Sequence, residues 1–112
     1  MRVVHCRKER YTIFIGRGSV YGNPFTHLPL GSTKASVQVF TRDESVDYYE
    51  RWLDGDPEFA AVDPKRREDI LRCIPLLHED DVLGCFCHPE RCHGHVIVKI
   101  WYRIKQAKNE RK

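Results

Sequence analysis

The stretch DVLGCFCHPERCHGHVIVKIW, residues 81–101, decides the fold. Residues 81–87 are typical of a short β-strand, and the apolar side chains from residue 96 onward recur at helical spacing. A turn rich in cysteine and histidine joins the two. Because a strand that feeds a helix through a short loop is a building unit of α/β domains, we expect this segment to form part of a small, partly parallel sheet.

Two more strands are predicted near the start of the chain. Residues 2–6 and 11–15 are rich in β-branched and aromatic side chains, and the charged turn RKER separates them. Residues 16–32 follow, with glycines and prolines but no periodicity. This composition predicts a long loop, and long loops inside a small domain are usually functional.

Three helices are predicted. In residues 41–55, Thr41 begins a capping box and Gly55 supplies the stop. The second helix should begin at Asp63, and the third covers residues 95–107. We therefore expect an α/β fold in which about three helices flank the small sheet. The helix side chains expected to be buried are Val46, Tyr49, Trp52, Leu53, Ile70, Leu71, Ile74, Val96, Ile97, Ile100, Trp101 and Ile104.

Composition predicts one globular domain over residues 1–112, with a basic tail from about residue 105 to 112. No apolar run approaches the roughly 20 residues that span a bilayer, and the first residues lack the apolar core of a signal peptide. We therefore expect a cytoplasmic protein that does not enter a membrane. The net charge of +3 permits a weak attraction to phosphate, so nucleic acid is a candidate partner.

The cysteines favour metal or thiol chemistry over disulfides, because there are five and three of them cluster in residues 85–92. In an extended segment Cys85 and Cys87 would point to the same side. Cys92 and His93 lie near a helix start, which favours a thiolate. Three sulfur ligands and one nitrogen ligand suit zinc, the expected cofactor if a metal binds. Neighbouring side chains diverge by about 100° on a helix, so Cys92 or His93 could instead have another role.

Other interpretations of this cluster remain open. Without a metal, Cys92 would be a nucleophile and His93 or His88 its proton partner. Cys85 and Arg91 have the C-x5-R spacing of cysteine phosphatases, but no glycine lies between them and Glu90 would repel a phosphate. Buried cysteine can also be a plain core residue, although core packing does not account for so many histidines in the adjoining turn.

The loop GRGSVYGNPF, residues 16–25, is the second candidate site. Glycines let a backbone approach a ligand closely, an arginine binds phosphate or carboxylate through two hydrogen bonds, and an aromatic ring could stack on a base. The pattern is neither a P-loop nor a dinucleotide fingerprint, and a structural turn fits the residues equally well. The candidate substrate-binding residues are Gly16, Arg17, Ser19, Gly22, Asn23 and Phe25.

Taken together, GRGSVYGNPF and GCFCHPERCHGH resemble the uncharacterised domain family numbered 4326, found chiefly in bacteria and bacteriophages. Its members look like G-R-x-S-x-x-G-N-P-F followed by G-C-x-C-x-P-x-x-C-H-G-D, and the similarity extends from VVHCR through the last helix. The resemblance implies a small intracellular protein whose functional residues lie in both motifs, Pro24, Pro89 and Gly94 included. His95 stands where the family has aspartate, so no carboxylate role is expected there.

The two motifs should meet at the carboxyl ends of strands, where ligands collect in open α/β sheets. The prediction is a small enzyme that acts on a nucleotide, nucleobase or nucleic-acid base. Residues 16–25 would hold the substrate, the cysteine and histidine cluster would react, and Asn23 would orient the substrate or stabilise negative charge. The H-x-E and P-C-x-x-C motifs of the zinc deaminases are absent, which disfavours that route of deamination.

Two non-catalytic alternatives have distinct signatures. A zinc-stabilised module that binds a nucleotide or nucleic acid would have a closed metal site remote from residues 16–25, whereas an exposed thiol facing Arg17 and Asn23 would favour the enzyme. An interaction protein that uses the last helix would expose Trp101.

Overall fold

The structure, a computed structural model, describes residues 1–31 and 35–110. The end of the predicted loop at Ser32 and the last two residues of the predicted tail lie outside the described residues. In chain order the elements are β1 (Arg2–His5), β2 (Ile13–Phe14), β3 (Phe25–Thr26), β4 (Val37–Gln38), α1 (Arg42–Leu53), α2 (Pro64–Cys73), β5 (Val82–Cys85) and α3 (His93–Glu110), with 3-10 turns at Pro57–Phe59 and Ile74–Leu76.

The main sheet has the order β1-β5-β2, and both outer strands run parallel to β5. His5 lies opposite Cys85, and Phe14 lies opposite Gly84. All three strands therefore end at the same edge of the sheet. A smaller parallel sheet pairs β3 with β4. The predicted α/β fold, with small parallel sheets and three helices, is confirmed, although β3 and β4 were not predicted.

One face of the main sheet packs against α3. Gly94 permits this close approach, because a Cβ atom there would lie 2.7 Å from Ile15 Cδ1 and 3.1 Å from Val3 Cγ1. The helix continues to Glu110, so the predicted tail is helical from residue 105 to that point. Trp101 is buried and its Nε1 donates to Leu77 O at 2.8 Å, so it forms no exposed patch.

The predicted caps begin and end the helices. Thr41 Oγ1 accepts from the N–H of Glu44 at 3.0 Å, and the Glu44 carboxylate accepts in turn from the N–H of Phe40 at 3.0 Å. Gly55 follows α1 with a φ of 90°. Asp63 caps α2 by accepting a backbone N–H of its first turn. The bonds at Thr41 and Glu44 fix where α1 begins, and those from Asn23 to Ser45 hold its first turns against the loop after β2.

The predicted helix core is buried except for Leu71 and Ile104, which are partly exposed. No helix within the described ranges combines the length and apolar composition that crossing a membrane requires.

Candidate functional site

A cleft of about 420 Å³ lies at the carboxyl end of β5, and both sequence motifs line it. The loop after β2 contributes Gly16, Arg17 and Asn23, and the first turns of α1 close another side. The other lining residues come from the segment after β3, from α1 and from the stretch that runs from the end of β5 to the start of α3. They are His27, Leu28, Arg42, Ser45, Val46, Cys85, Phe86, Cys87, Arg91, Cys92 and His93.

Cys85, Cys87 and Cys92 form a cysteine trio in this cleft. The Sγ atoms of Cys85 and Cys92 lie 3.3 Å apart, and Cys87 lies near enough to Cys85 to shift its pKa. All three are free thiols. Cys85 ends β5, Cys87 follows in a bend, and Cys92 directly precedes α3. Cys85 and Cys92 are buried whereas Cys87 is half-buried, so Cys87 is the sulfur most open to the cleft.

Hydrogen bonding concentrates the negative charge of the trio on Cys85. Donation from the Cys87 thiol, and then from the Cys92 thiol, lowers the pKa of Cys85. The same hydrogen bonds to Cys85, followed by burial, raise the pKa of Cys87 and of Cys92. The helix start was expected to make Cys92 the thiolate; these contacts favour Cys85 in that role, because it accepts from two neighbours.

His93 is fixed by the loop that follows β2. Its Nε2 lies 2.5 Å from Ile15 O, and since a carbonyl only accepts, Nε2 carries the proton and Nδ1 keeps a free lone pair. Burial lowers the pKa of His93, which favours the neutral ring. The ring also packs edge-on against Tyr49, with centroids 5.2 Å apart. His93 is therefore a neutral base with a fixed orientation on the wall of the cleft.

Arg17 places a half-buried guanidinium beside the trio. Its Nε donates to Asn23 O at 3.2 Å and its Nη2 donates to Phe25 O at 2.7 Å, which leaves further N–H groups for a ligand. Burial lowers the pKa of Arg17, and the neighbouring Cys87 raises it. Arg17 forms no ion pair with Asp or Glu in the part of the chain that the structure describes. An anionic ligand would supply the missing counter-charge.

Two further arginines line the cleft but have carboxylate partners. Arg42 contacts Glu90, and Arg91 contacts Asp47 at 2.7 Å. All four side chains are exposed, and exposed ion pairs contribute at most about 1 kcal/mol. A bound anion can therefore compete with these carboxylates. The sequence did not predict Arg42 as a site residue, and Arg91 was considered only in the disfavoured phosphatase spacing.

Asn23 reaches the cleft, but its polar atoms hold the loop against α1. Its Nδ2 donates to both Ser45 O and Ser45 Oγ at 3.0 Å, and its Oδ1 accepts from the N–H of Phe25 at 2.9 Å. The residue is only 4% exposed. These bonds indicate a positioning role for Asn23, in contrast to the direct contact with substrate that was predicted.

Three predicted substrate-binding residues do not line the cleft. Phe25 is fully buried between aromatic rings, with Phe59 at 5.2 Å between centroids, so it has no surface for a base. Ser19 donates its hydroxyl to Gly16 O at 2.6 Å and faces another hollow of the surface. Gly22 lies close to Arg66 on that side of the loop. These residues shape the loop from outside the cleft.

Phe86 is a cleft residue that the sequence interpretation missed. Phe86 lies between Cys85 and Cys87, and in an extended segment its ring would point to the side opposite theirs. The sequence did contain a signal for this residue. An aromatic side chain at a strand end, next to candidate site residues, can be exposed at the rim of the cleft.

Comparisons with known proteins assign the family. A family model described as a domain of unknown function (DUF4326) matches residues 2–103. A relative in Enterobacteria phage T4, described as "Uncharacterized 12.4 kDa protein in nrdA-td intergenic region", is 30% identical over 103 residues, which cover 92% of this chain and 79% of the relative. No solved structure matches the chain. The match over nearly the whole chain shows that this protein belongs to the DUF4326 family.

Proposed function

We propose that the protein is an enzyme that acts on a nucleotide, nucleobase or nucleic-acid base in the cleft. The observation that carries the proposal is the position of Arg17, a half-buried cation without a carboxylate partner among the described residues, beside the half-buried thiol of Cys87. A cation and a thiol on one wall can bind an anionic or carbonyl oxygen and present the neighbouring carbon to sulfur.

The cleft has the size and composition for such a ligand. Its volume of about 420 Å³ lies within the range of roughly 300–1,000 Å³ that is usual for small-molecule sites. Leu28, Val46 and Phe86 provide an apolar surface for a base. Arginine binds phosphate and base oxygens through two parallel hydrogen bonds, so the guanidiniums suit the polar part of a nucleotide.

Cys87 is the sulfur placed to react, because the cleft is open beside it. Since the pKa of Cys87 is raised and that of Cys85 is lowered, Cys85 would not take the Cys87 proton, which would leave to solvent as the substrate binds. The positive charges of Arg42 and Arg17 stabilise a thiolate at this position, because both lower the pKa of Cys87 against the raising effects. This thiolate would add to an electrophilic carbon of the base, and the negative charge that develops on a base oxygen would face Arg17.

Mass spectrometry of substrates tests the proposal. Nucleosides, nucleoside monophosphates and short oligonucleotides are incubated with the wild-type chain, with Cys87→Ser and with the control Cys6→Ser, a cysteine outside the trio. We expect one substrate to change mass with the wild type and the control but not with Cys87→Ser. A ligand that binds the cleft and is never altered would contradict the enzyme and support the non-catalytic binding module.

Zinc is a second candidate for the trio, as a cofactor of the same enzyme or of the module. The donor types suit zinc, since Cys85, Cys87 and Cys92 line one cleft with His93, whose Nε2–H donates to Ile15 O in the kind of bond that orients a metal-binding histidine. Zinc bound there by Cys85, Cys87 and Cys92 or His93 would polarise a water or a carbonyl oxygen. Two sulfurs on tetrahedral zinc lie about 3.8 Å apart, so the 3.3 Å contact would have to widen slightly. In residues 1–31 and 35–110, no three His, Cys, Asp or Glu side chains are already placed to hold a metal ion.

A further inference from the structure

The main sheet has an aromatic face opposite the face that packs against α3. Val3 contacts the Gly94 position of α3, so the next side chain of each outer strand, Val4 in β1 and Phe14 in β2, points to the opposite face. Gly84 of β5, in register with both, has no side chain on that face. Tyr11 and Phe14 cover this second face. A Cβ atom at Gly84 would lie 2.6 Å from Tyr11 Cγ, and one at Gly16 would collide with the Phe14 ring. The Tyr11 ring therefore lies directly on the backbone of β5, and the Phe14 ring lies on the bend that follows β2.

These rings continue to the rim of the cleft. Tyr11 lies 6.1 Å from Phe14 between centroids, and Phe14 lies 5.8 Å from Phe86. Tyr11 is 43% exposed and Phe86 is 53% exposed. Because Phe86 also lines the cleft, the aromatic face, defined here as Tyr11, Phe14 and Phe86, forms a continuous surface that leads to the trio.

Positive charge borders the aromatic face. The guanidinium of Arg7 lies 5.3 Å from the centre of the Phe86 ring. Arg7, Lys8 and Arg10 are exposed, and with Tyr11 they line a hollow of about 500 Å³. Glu9, the acidic residue of this turn, is paired with Arg2 at 3.6 Å. The surface therefore combines exposed rings with cations that have no carboxylate partner among the described residues.

We propose that the aromatic face binds single-stranded nucleic acid and directs one base into the cleft. Base stacking on exposed rings, together with cations that follow the phosphates, is how single strands are bound without reading their sequence. Exposed rings bordered by a group of cations suit the bases and phosphates of one strand, whereas a protein partner would be matched by a more continuous apolar patch. The inference rests on the proposed function for what happens to the base, but the binding step is measurable by itself.

Fluorescence anisotropy with labelled 12-nucleotide oligothymidine and oligouridine tests the binding. We expect Phe86→Ala to weaken binding by roughly 5- to 150-fold, the range for losing one stacked base, and Phe86→Trp to retain it. Phe40→Ala removes a ring that is 93% exposed elsewhere and serves as the matched control. Lys8→Glu with Arg10→Glu should flatten the dependence of log Kd on log salt by about 0.7 for each phosphate that these side chains neutralise in the wild type.

The outcomes separate this inference from the proposed function. Oligonucleotide affinity equal in wild type, Phe86→Ala and Phe40→Ala would overturn the inference, even if free nucleotides are still converted. Self-association of the wild type that Phe86→Ala abolishes, without oligonucleotide binding, would also overturn it and assign the face to a second copy of the chain. Phe86-dependent binding without any conversion would support the inference and contradict the enzyme.

Discussion

The Sγ atoms of Cys85 and Cys92 lie 3.3 Å apart, although Cys85 ends a strand and Cys92 precedes a helix. The contact exists because β5 enters α3 through a compact turn that returns the chain to the strand end. Cys87 completes the trio from within that turn. The fold thus assembles three thiols from one short segment, beside an arginine from the loop that follows β2.

Metal analysis of the purified, untagged chain distinguishes the zinc candidate from the thiolate mechanism. If the trio binds zinc, inductively coupled plasma mass spectrometry should find about one equivalent in the wild type and in Cys73→Ser, a half-buried cysteine outside the trio. Cys87→Ser should then lose most of it. Less than about a tenth of an equivalent in the wild type would contradict the zinc candidate, because thiolate sites hold zinc tightly.

Asn23→Ala should destabilise the fold by about 1–3 kcal/mol, because it leaves the buried N–H of Phe25 without its acceptor. The carbonyl of Ser45 also loses a donor but lies within α1, where the helix supplies another. Urea unfolding followed by circular dichroism measures the effect. Thr12→Ala, which removes a more exposed hydroxyl bonded to Asp81, is the control and should cost less. A fully stable Asn23→Ala protein without turnover would instead support the predicted catalytic role.

Local signals made the elements predictable from the sequence. Thr41, Gly55 and Asp63 act through hydrogen bonds and backbone angles within a few residues, so their effect does not depend on the rest of the fold. The sulfur cluster was likewise visible, since Cys85, Cys87 and Cys92 come from one short segment. Strands β3 and β4 lack such local signals and were therefore not predicted. Each is two residues long and is defined by its pairing with the other across the loop.

The remaining site residues depend on tertiary packing. Phe25 and Asn23 were predicted to contact substrate from their motif alone, but the docking of α1 buries the first and engages the amide of the second. The same docking brings Arg42 to the cleft, a residue that looks like any other solvated charge in a first helical turn. Sequence spacing cannot show which side of a glycine-rich loop meets a distant helix.

Gly94→Ala should cost about 1–3 kcal/mol of stability, because the added methyl group meets Ile15 and Val3 where α3 approaches the sheet. Ile15→Val removes the nearest atom, Cδ1. We therefore expect the substitution at position 94 to cost less in an Ile15→Val background than in the wild type. Denaturant unfolding of the two single variants and the double variant gives this coupling. Additive costs would contradict the close approach of these residues.

Stability should fall as the pH rises from about 10 to 12. Burial raises the pKa of Tyr21 to about 12, and burial likewise raises that of Tyr49 well above its usual value. An unfolded tyrosine ionises near 10, so in this range the folded state holds protons that the unfolded state releases. The stabilisation is complete below pH 10 and is lost above it. Urea midpoints at several pH values should show a shallower loss for Tyr49→Phe, and an unchanged loss for the exposed Tyr102→Phe; identical slopes for all three proteins would contradict the assignment.

Isothermal titration calorimetry of the chain with nucleoside 5′-monophosphates and the matching nucleosides tests the central claim most directly. Arg17→Gln is compared with Arg66→Gln, which removes a guanidinium that holds the same loop through Ser19 O from outside the cleft, and thermal unfolding verifies that both variants fold. We predict that at least one monophosphate binds the wild type and Arg66→Gln, and binds Arg17→Gln at least about tenfold more weakly, as expected for the removal of a hydrogen bond to a charged group. Equal affinity for all three proteins, or no binding of any nucleotide, would contradict the proposed role of Arg17 and of the cleft.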